Sequence, residues 1–158
     1  ADRKTFPSWG WMLENDATTL WEHWEFSDNT FSHNHPMFGS VSQWFYNWLG
    51  GIEPAADAVG FDRIELHPRF VEGLDWVKCS HRSIHGPVVC DWKRVGDTVH
   101  LKLRVPVGST AELHLPAATS ITENDHPAAE STGVDQLSVK GRVKLQVESV
   151  SYNFEVQL

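Results

Sequence analysis

Two acid–base residues stand close together in residues 17–35, ATTLWEHWEFSDNTFSHNH: Glu22, set among Trp21, His23 and Trp24, and His35, which follows His33 and Asn34. A carboxylate in such company can act as a general base, provided it is held ionised and aimed at a water. Trp21 and Trp24 would keep bulk solvent away from it and offer apolar faces to a ligand. The same letters carry a plainer reading. Thr19-Leu20-Trp21-Glu22 has capping-box spacing, in which Glu22 reaches back to a backbone N–H at a helix start, and local sequence favours it. Glu14, Asp16, Glu25 and Asp28 could each supply a second carboxyl, but read better as solvated surface charges. His35 reads as a neutral hydrogen-bonding group in a first helical turn, where the helix dipole disfavours imidazolium, or as a residue packing at a helix end. His23, His33 and His35 match no metal-ligand spacing, so no metal and no cofactor is expected.

The elements that must position these residues are helical before Gly51 and extended after it. Residues 1–16 predict a short helix with Pro7 in its first turn and Trp9, Met12 and Leu13 as one apolar stripe. Asn15 and Asp16 end it, and Gly10 permits close approach of another helix. Residues 34–51 predict the longest helix, with Asn34 as N-cap, Pro36 in the first turn and Gly50-Gly51 as the stop. Its stripe is Met37, Val41, Trp44, Phe45, Trp48 and Leu49, and Trp44 and Trp48 read as core. Asp28-Asn29-Thr30 is loop chemistry, and residues 53–60, EPAADAVG, read as a linker.

Beyond the linker the hydrophobic period changes from 3.6 to 2. Alternation runs through Ile64 and Leu66, Val88 to Trp92, Val99 to Val105, Ala111 to Leu115, Val143 to Val147 and Tyr152 to Leu158. Turn signals stand at Gly86-Pro87, Gly96-Asp97, Gly108-Ser109 and Lys140-Gly141. This predicts an antiparallel β-sandwich, with residues 117–133 as a long loop. The fold class is therefore α+β, with a helical part over residues 1–55 and a sandwich over residues 56–158. Cys79 and Cys90 flank a turn at residues 83–86 and read as two small buried residues on one sheet face, with a disulfide possible if the geometry allows.

A net charge of −8 with no clustered basic surface argues against a nucleic-acid partner. No apolar run approaches the ~20 residues of a membrane span. Six of the eight tryptophans precede Gly50. Two helices carrying so many aromatics cannot bury them alone, so an exposed apolar face is expected, covered by the sandwich, by an oligomer partner or by sequence outside the chain.

The strings FPSWGWMLENDATTLWEHWE and SHNHPMFGSVSQWFYNWLGGI resemble the end of the catalytic domain of bacterial α-L-rhamnosidases, glycoside hydrolase family 78. GFDRIELHPRF, followed by Ser83, Gly86 and Trp92, is similar to that family's C-terminal β domain. The resemblance implies the end of an (α/α)6 barrel with a β-sandwich behind it, from an enzyme that removes terminal α-linked L-rhamnose with inversion. It makes Glu22, the glutamate of TTLWE, the catalytic base, and His35, the histidine of the Asn-His pair, a sugar contact. Trp21 and Trp24 become the sugar-facing aromatics, suited to the methyl group of a 6-deoxy sugar. The implied partner is a rhamnose-containing carbohydrate. Asp16 departs from the glycine usual before ATT, and His33 and Pro36 flank Asn34-His35 where other residues are common. The family's general acid lies far upstream, so this chain, which begins at Ala1 without an initiator methionine, is expected to be inactive alone. A non-catalytic carbohydrate-binding or structural sandwich is the alternative.

Overall fold

In the computed structural model, residues 3–26, 31–139 and 142–158 are described, the side chains of 137–139 excepted. The expected loop at Asp28-Asn29-Thr30, the Asp28 carboxylate and the turn at Lys140-Gly141 lie outside the described residues. The chain divides into two compact units, Ala1–Trp44 and Phe45–Leu158. Residues 45–55, expected with the helical part, thus fall in the second unit.

Helix α1 is Trp9–Glu14. It starts later than expected because Ser8, not Pro7, prepares the first turn: the Ser8 Oγ accepts the Trp11 N–H at 3.0 Å and donates to the Arg3 carbonyl at 2.8 Å. A serine oxygen at this position satisfies a donor that the helix itself cannot. Pro7 stands one residue before the cap. The predicted stripe does not form one buried face; Met12 is buried, while Leu13 is 70% exposed. Gly10 does allow close approach, but of the Arg3–Lys4 backbone and not of a helix.

The end of α1 explains a departure seen in the sequence. Asp16 N–H bonds the Leu13 carbonyl at 3.2 Å and Ala17 N–H bonds the Met12 carbonyl at 3.0 Å. This pair of bonds makes a Schellman motif with Asp16 as its left-handed residue, at φ 61°. Glycine occupies that conformation without steric cost, whereas an L-residue meets its own Cβ.

Residues 34–51 do not form one regular helix. A 3-10 turn, Met37–Ser40, leads into α2, Val41–Trp44, and a π turn, Phe45–Leu49, follows. The cap is Pro36, without a side-chain bond, and not Asn34. Changes of pitch scatter the expected stripe, and none of these residues is buried; Trp44 is 46% exposed. The reading of Trp44 and Trp48 as core is thereby corrected. The helical run does stop where expected. Gly50 N–H closes the π turn on the Phe45 carbonyl at 3.0 Å. A Cβ on Gly50 would overlap the Cys79 side chain, and one on Gly51 (φ 66°) would overlap the His67 backbone.

The expected linker opens instead with strand β1, Ile52–Pro54, paired antiparallel with β2, Arg63–Leu66. Ile52 is buried at the edge of the core, which composition alone could not reveal. The strands that follow are β3 (Trp76–Val77), β4 (Ser80–Ser83), β5 (Gly86–Val95), β6 (Thr98–Val105), β7 (Thr110–Pro116), β8 (Ser120–Glu123), β9 (His126–Pro127), β10 (Val134–Val139), β11 (Arg142–Val147) and β12 (Val150–Gln157). The expected loop at 117–133 therefore holds β8, β9 and a 3-10 turn, Ala128–Glu130. One sheet runs β1-β2-β7-β11-β10; the other runs β3-β5-β6-β12-β8-β9, with β4 on β5. All pairs are antiparallel except β2 with β7.

The two sheets share one core. Val99, Leu101, Leu103 and Val105 of β6, and Tyr152, Phe154 and Val156 of β12, are buried with Ala111, Leu113 and Leu115 of β7 and Leu145 and Val147 of β11. Outward positions alternate with them, as one wet face requires. Cys79 and Cys90 are buried free thiols, and burial pushes the Cys79 thiol up to about 11 and that of Cys90 further in the same direction. Both are inert small core residues at neutral pH.

We predict that Asp16→Gly stabilises the Ala1–Trp44 unit by about 0.5–1 kcal/mol, the roughly 1–2 kcal/mol cost of a left-handed L-residue less the chain entropy that glycine gives up. Tryptophan fluorescence in a urea titration reads it directly, and an unchanged or lowered midpoint contradicts it.

Candidate active site

No helix forms at residues 19–22, so the capping-box reading of Glu22 fails. The stretch lies alongside residues 32–35, a distant part of the same loop system. Glu22 N–H donates to the Ser32 carbonyl at 2.8 Å, and Ser32 N–H returns to Glu22 Oε2 at 2.8 Å. His35 N–H donates to the Leu20 carbonyl at 2.9 Å, and Thr19 Oγ1 donates to the His33 carbonyl. The TTLWE and Asn-His motifs are thus bound to one another by main-chain bonds. The half-buried Glu22 carboxylate is anchored through one oxygen, while Oε1 has no partner among the described residues.

His35 sits before the 3-10 turn, not within a long helix, so a helix dipole does not act on it. A hydrogen bond fixes its chemistry instead. Its Nδ1 accepts the Met37 N–H at 3.1 Å, which leaves Nε2 to donate. His23 Nδ1 accepts the Glu25 N–H at 3.2 Å, and its ring stacks on Phe31 with centroids 4.7 Å apart. These histidines are engaged with backbone and rings. Of the other carboxylates, Glu14 pairs with Lys4 at 2.7 Å on the surface, and Glu25 and Asp16 are exposed.

Trp21 and Trp24 occupy different settings. Trp21 is only 4% exposed, its ring edge-on to Phe26 at 5.2 Å and tilted against His33 at 6.1 Å. A ring so covered presents little of its face to solvent. Trp24 is half-buried, stacked on Phe38 at 4.0 Å and met edge-on by Trp9 at 5.4 Å. The Trp9 indole N–H donates to the Phe38 carbonyl at 3.3 Å, tying α1 into this cluster.

A second group of titratable residues lies on the outer face of the first sheet, and sequence reading missed it. His114 Nε2 is 2.6 Å from Glu65 Oε2 and 3.0 Å from Glu112 Oε1, and Lys144 pairs with Glu112. The three strands β2, β7 and β11 bring them together, since Glu65 is opposite Glu112 and Lys144 opposite His114. The signal lay in the outward positions of the alternating strands, but only the register joins them. Among the described residues this trio of Glu65, Glu112 and His114 has the closeness of metal ligands. Its charges are already matched by hydrogen bonds and by Lys144, so it reads as an internal ion network. Beside it, His67 lies 5.2 Å from the His114 ring and its Nδ1 faces Arg69 Nη2 at 3.3 Å. Burial first, then the charges of Arg69, His114 and Arg142, lowers its pKa to about 4.

The sequence matches two family descriptions in succession: the bacterial α-L-rhamnosidase 6-hairpin glycosidase domain over residues 1–49, and the bacterial α-L-rhamnosidase C-terminal domain over residues 51–129, half of the chain. The chain belongs to the bacterial α-L-rhamnosidase family. It is 31% identical to an α-L-rhamnosidase of Streptomyces avermitilis, over 98% of this chain and 15% of the relative. Among solved structures it is similar to the α-L-rhamnosidase from Dictyoglumus thermophilum, at 35% identity and a TM-score of 0.87, covering all of this chain and 18% of that one. It is also similar to the Streptomyces avermitilis α-L-rhamnosidase complexed with L-rhamnose, at 28% identity and a TM-score of 0.83, over 99% of this chain and 15% of that one. The chain thus spans less than a fifth of the length of these family members and corresponds to a C-terminal rhamnosidase portion.

The depressed pKa of His67 has a measurable consequence. The unfolded chain takes up a proton near pH 6.5, whereas the folded one resists it until about pH 4. Stability is therefore full above pH 6.5 and falls as pH drops from 6.5 towards 4. Urea midpoints at pH 7.5 and 4.5 should differ less in His67→Gln than in the wild type; an equal difference refutes this.

Proposed function

We propose that this chain is the base-bearing part of an inverting α-L-rhamnosidase, which hydrolyses terminal α-L-rhamnose from glycosides or polysaccharides. In this reading residues up to about Gly50 close the helical catalytic domain and the remainder forms its C-terminal sandwich. Inverting hydrolysis needs two carboxyl groups about 6.5–9.5 Å apart, one to protonate the leaving oxygen and one to activate water. Glu22 is the base and activates the water. The general acid comes from a part of the parent protein outside residues 1–158.

The observation that carries this reading is the bond from Ser32 N–H to Glu22 Oε2. Anchoring one oxygen on a backbone donor orients the other, Oε1, for a water proton. The same pairing of segments holds His35, whose Nε2–H donates to a hydroxyl of the bound sugar. Trp24 supplies an apolar surface beside the site. Trp21 acts at one remove, keeping water from behind the Glu22 segment.

In the full-length parent enzyme, Glu22→Gln should lower kcat by about 10²–10⁴-fold, the usual range for loss of a general base. His35→Ala should act chiefly on KM. Near wild-type turnover in a folded Glu22→Gln enzyme refutes the assignment of the base. The 158-residue chain alone should hydrolyse no aryl α-L-rhamnoside, and measurable hydrolysis by it refutes the assignment of an external acid.

A further inference from the structure

The sandwich unit carries a cavity of about 480 Å³ that the proposed hydrolysis does not use. It opens at one end of the first sheet, where β2 runs out into His67–Phe70, β7 ends at Leu115–Pro116 and β11 begins at Arg142. Because β2 and β7 are parallel and β11 is antiparallel to β7, this end gathers two strand exits and one strand entry. Arg69 and Arg142 both line it, and no Asp or Glu side chain does.

In a chain of net charge −8, a cavity whose lining has two guanidinium groups and no Asp or Glu, against the one main-chain carboxylate of Leu158 in the 158-residue chain, is biased towards positive charge. Glu65 and Glu112, on the same sheet, are in contact with His114 and Lys144. Arg69 lies over the Trp48 ring at 5.7 Å and its Nη2 donates to His67 Nδ1, so its positive charge is oriented without being neutralised. Arg142 makes no ion pair among the described residues and stands exposed at the rim. Trp48 and Phe70 give the cavity apolar walls, Phe70 being braced edge-on against Trp92 at 5.3 Å. Planar guanidinium forks match a carboxylate, and aromatic walls suit the C–H faces of a pyranose ring.

We propose that this cavity binds a carboxylate-bearing sugar residue, a hexuronate, with Arg69 and Arg142 holding its carboxylate and Trp48 and Phe70 lining its ring. The sugar part of this assignment rests on the glycosidase reading above, whereas the anion part stands on the cavity alone. His67, neutral at physiological pH, positions Arg69 and adds no charge of its own.

The test is titration of the 158-residue chain, followed by NMR, with D-galacturonate, with D-galactose as the uncharged sugar and with acetate as the bare carboxylate. Galacturonate should bind at least 10-fold more tightly than either control and shift the Trp48 indole signal. Arg142→Gln, an exposed change that leaves the core untouched, should weaken it at least 10-fold, while Arg94→Gln, on β5 beside Asp97, should leave it unchanged. Absence of galacturonate binding, or binding indifferent to Arg142→Gln, overturns the proposal. Acetate binding as tightly as galacturonate overturns its sugar part, and galactose doing so overturns its anion part. None of these outcomes depends on hydrolysis, so loss of the Glu22 assignment would leave them readable.

Discussion

Two sheets can exclude water from between them only if every second residue of each strand is apolar and the pairing register keeps those residues on one side. In this chain that constraint acts most strongly on β6, β12, β7 and β11. A slip by one residue in the β12–β6 pairing would send Tyr152, Phe154 and Val156 to solvent and bring Asn153 and Glu155 inward. The cost of burying those polar groups unpaired holds the register in place. Everything else in the Phe45–Leu158 unit is arranged on that frame: the ion network on the outer face of β2, β7 and β11, the arginine-lined cavity at the end of the same three strands, and the buried thiols beneath the β4–β5 hairpin.

Glu22 depends on a different kind of link. Its setting comes from main-chain bonds between two segments ten or more residues apart, each too irregular to count as a strand. Such pairings are invisible to local pattern. The letters Thr19-x-x-Glu22 offered a capping box because the same side-chain oxygen that caps a helix can equally accept an N–H from a distant loop. Local sequence identified an acceptor in need of a backbone donor; tertiary structure supplied Ser32 in place of a helix turn. The family resemblance, in contrast, pointed to both halves of the pair from the motifs alone.

Much of the sandwich was legible for the reason that period-two alternation reports burial directly. Six runs of alternating residues became β2, β5, β6, β7, β11 and β12. The strands that escaped notice are short or edge strands: β3 has two residues, β9 includes Pro127, and β1 lay hidden in a stretch whose proline and alanines suggest a linker. Helical periodicity served less well. The residues of 37–49 keep the right spacing for one α-helix, but the chain tightens to a 3-10 turn and then widens to a π turn. Spacing arguments presume a constant 3.6 residues per turn, and here that premise does not hold. The network of Glu65, Glu112, His114 and Lys144 required the register of three strands, one pair of them parallel, which no single-strand pattern encodes.

Gly50 and Gly51 have a consequence for anyone who would cut this protein into parts. A glycine pair between a helical run and a sheet is ordinarily taken for a hinge, the natural place to divide a gene or splice in a spacer. Here the pair is small because it is crowded: the Cys79 side chain presses on one glycine and the His67 backbone on the other. The Leu49 carbonyl just before them is held by the Trp92 indole N–H at 3.4 Å. The seam is a keyed joint, and a fusion boundary drawn through it would remove the key from the sandwich along with the helical run.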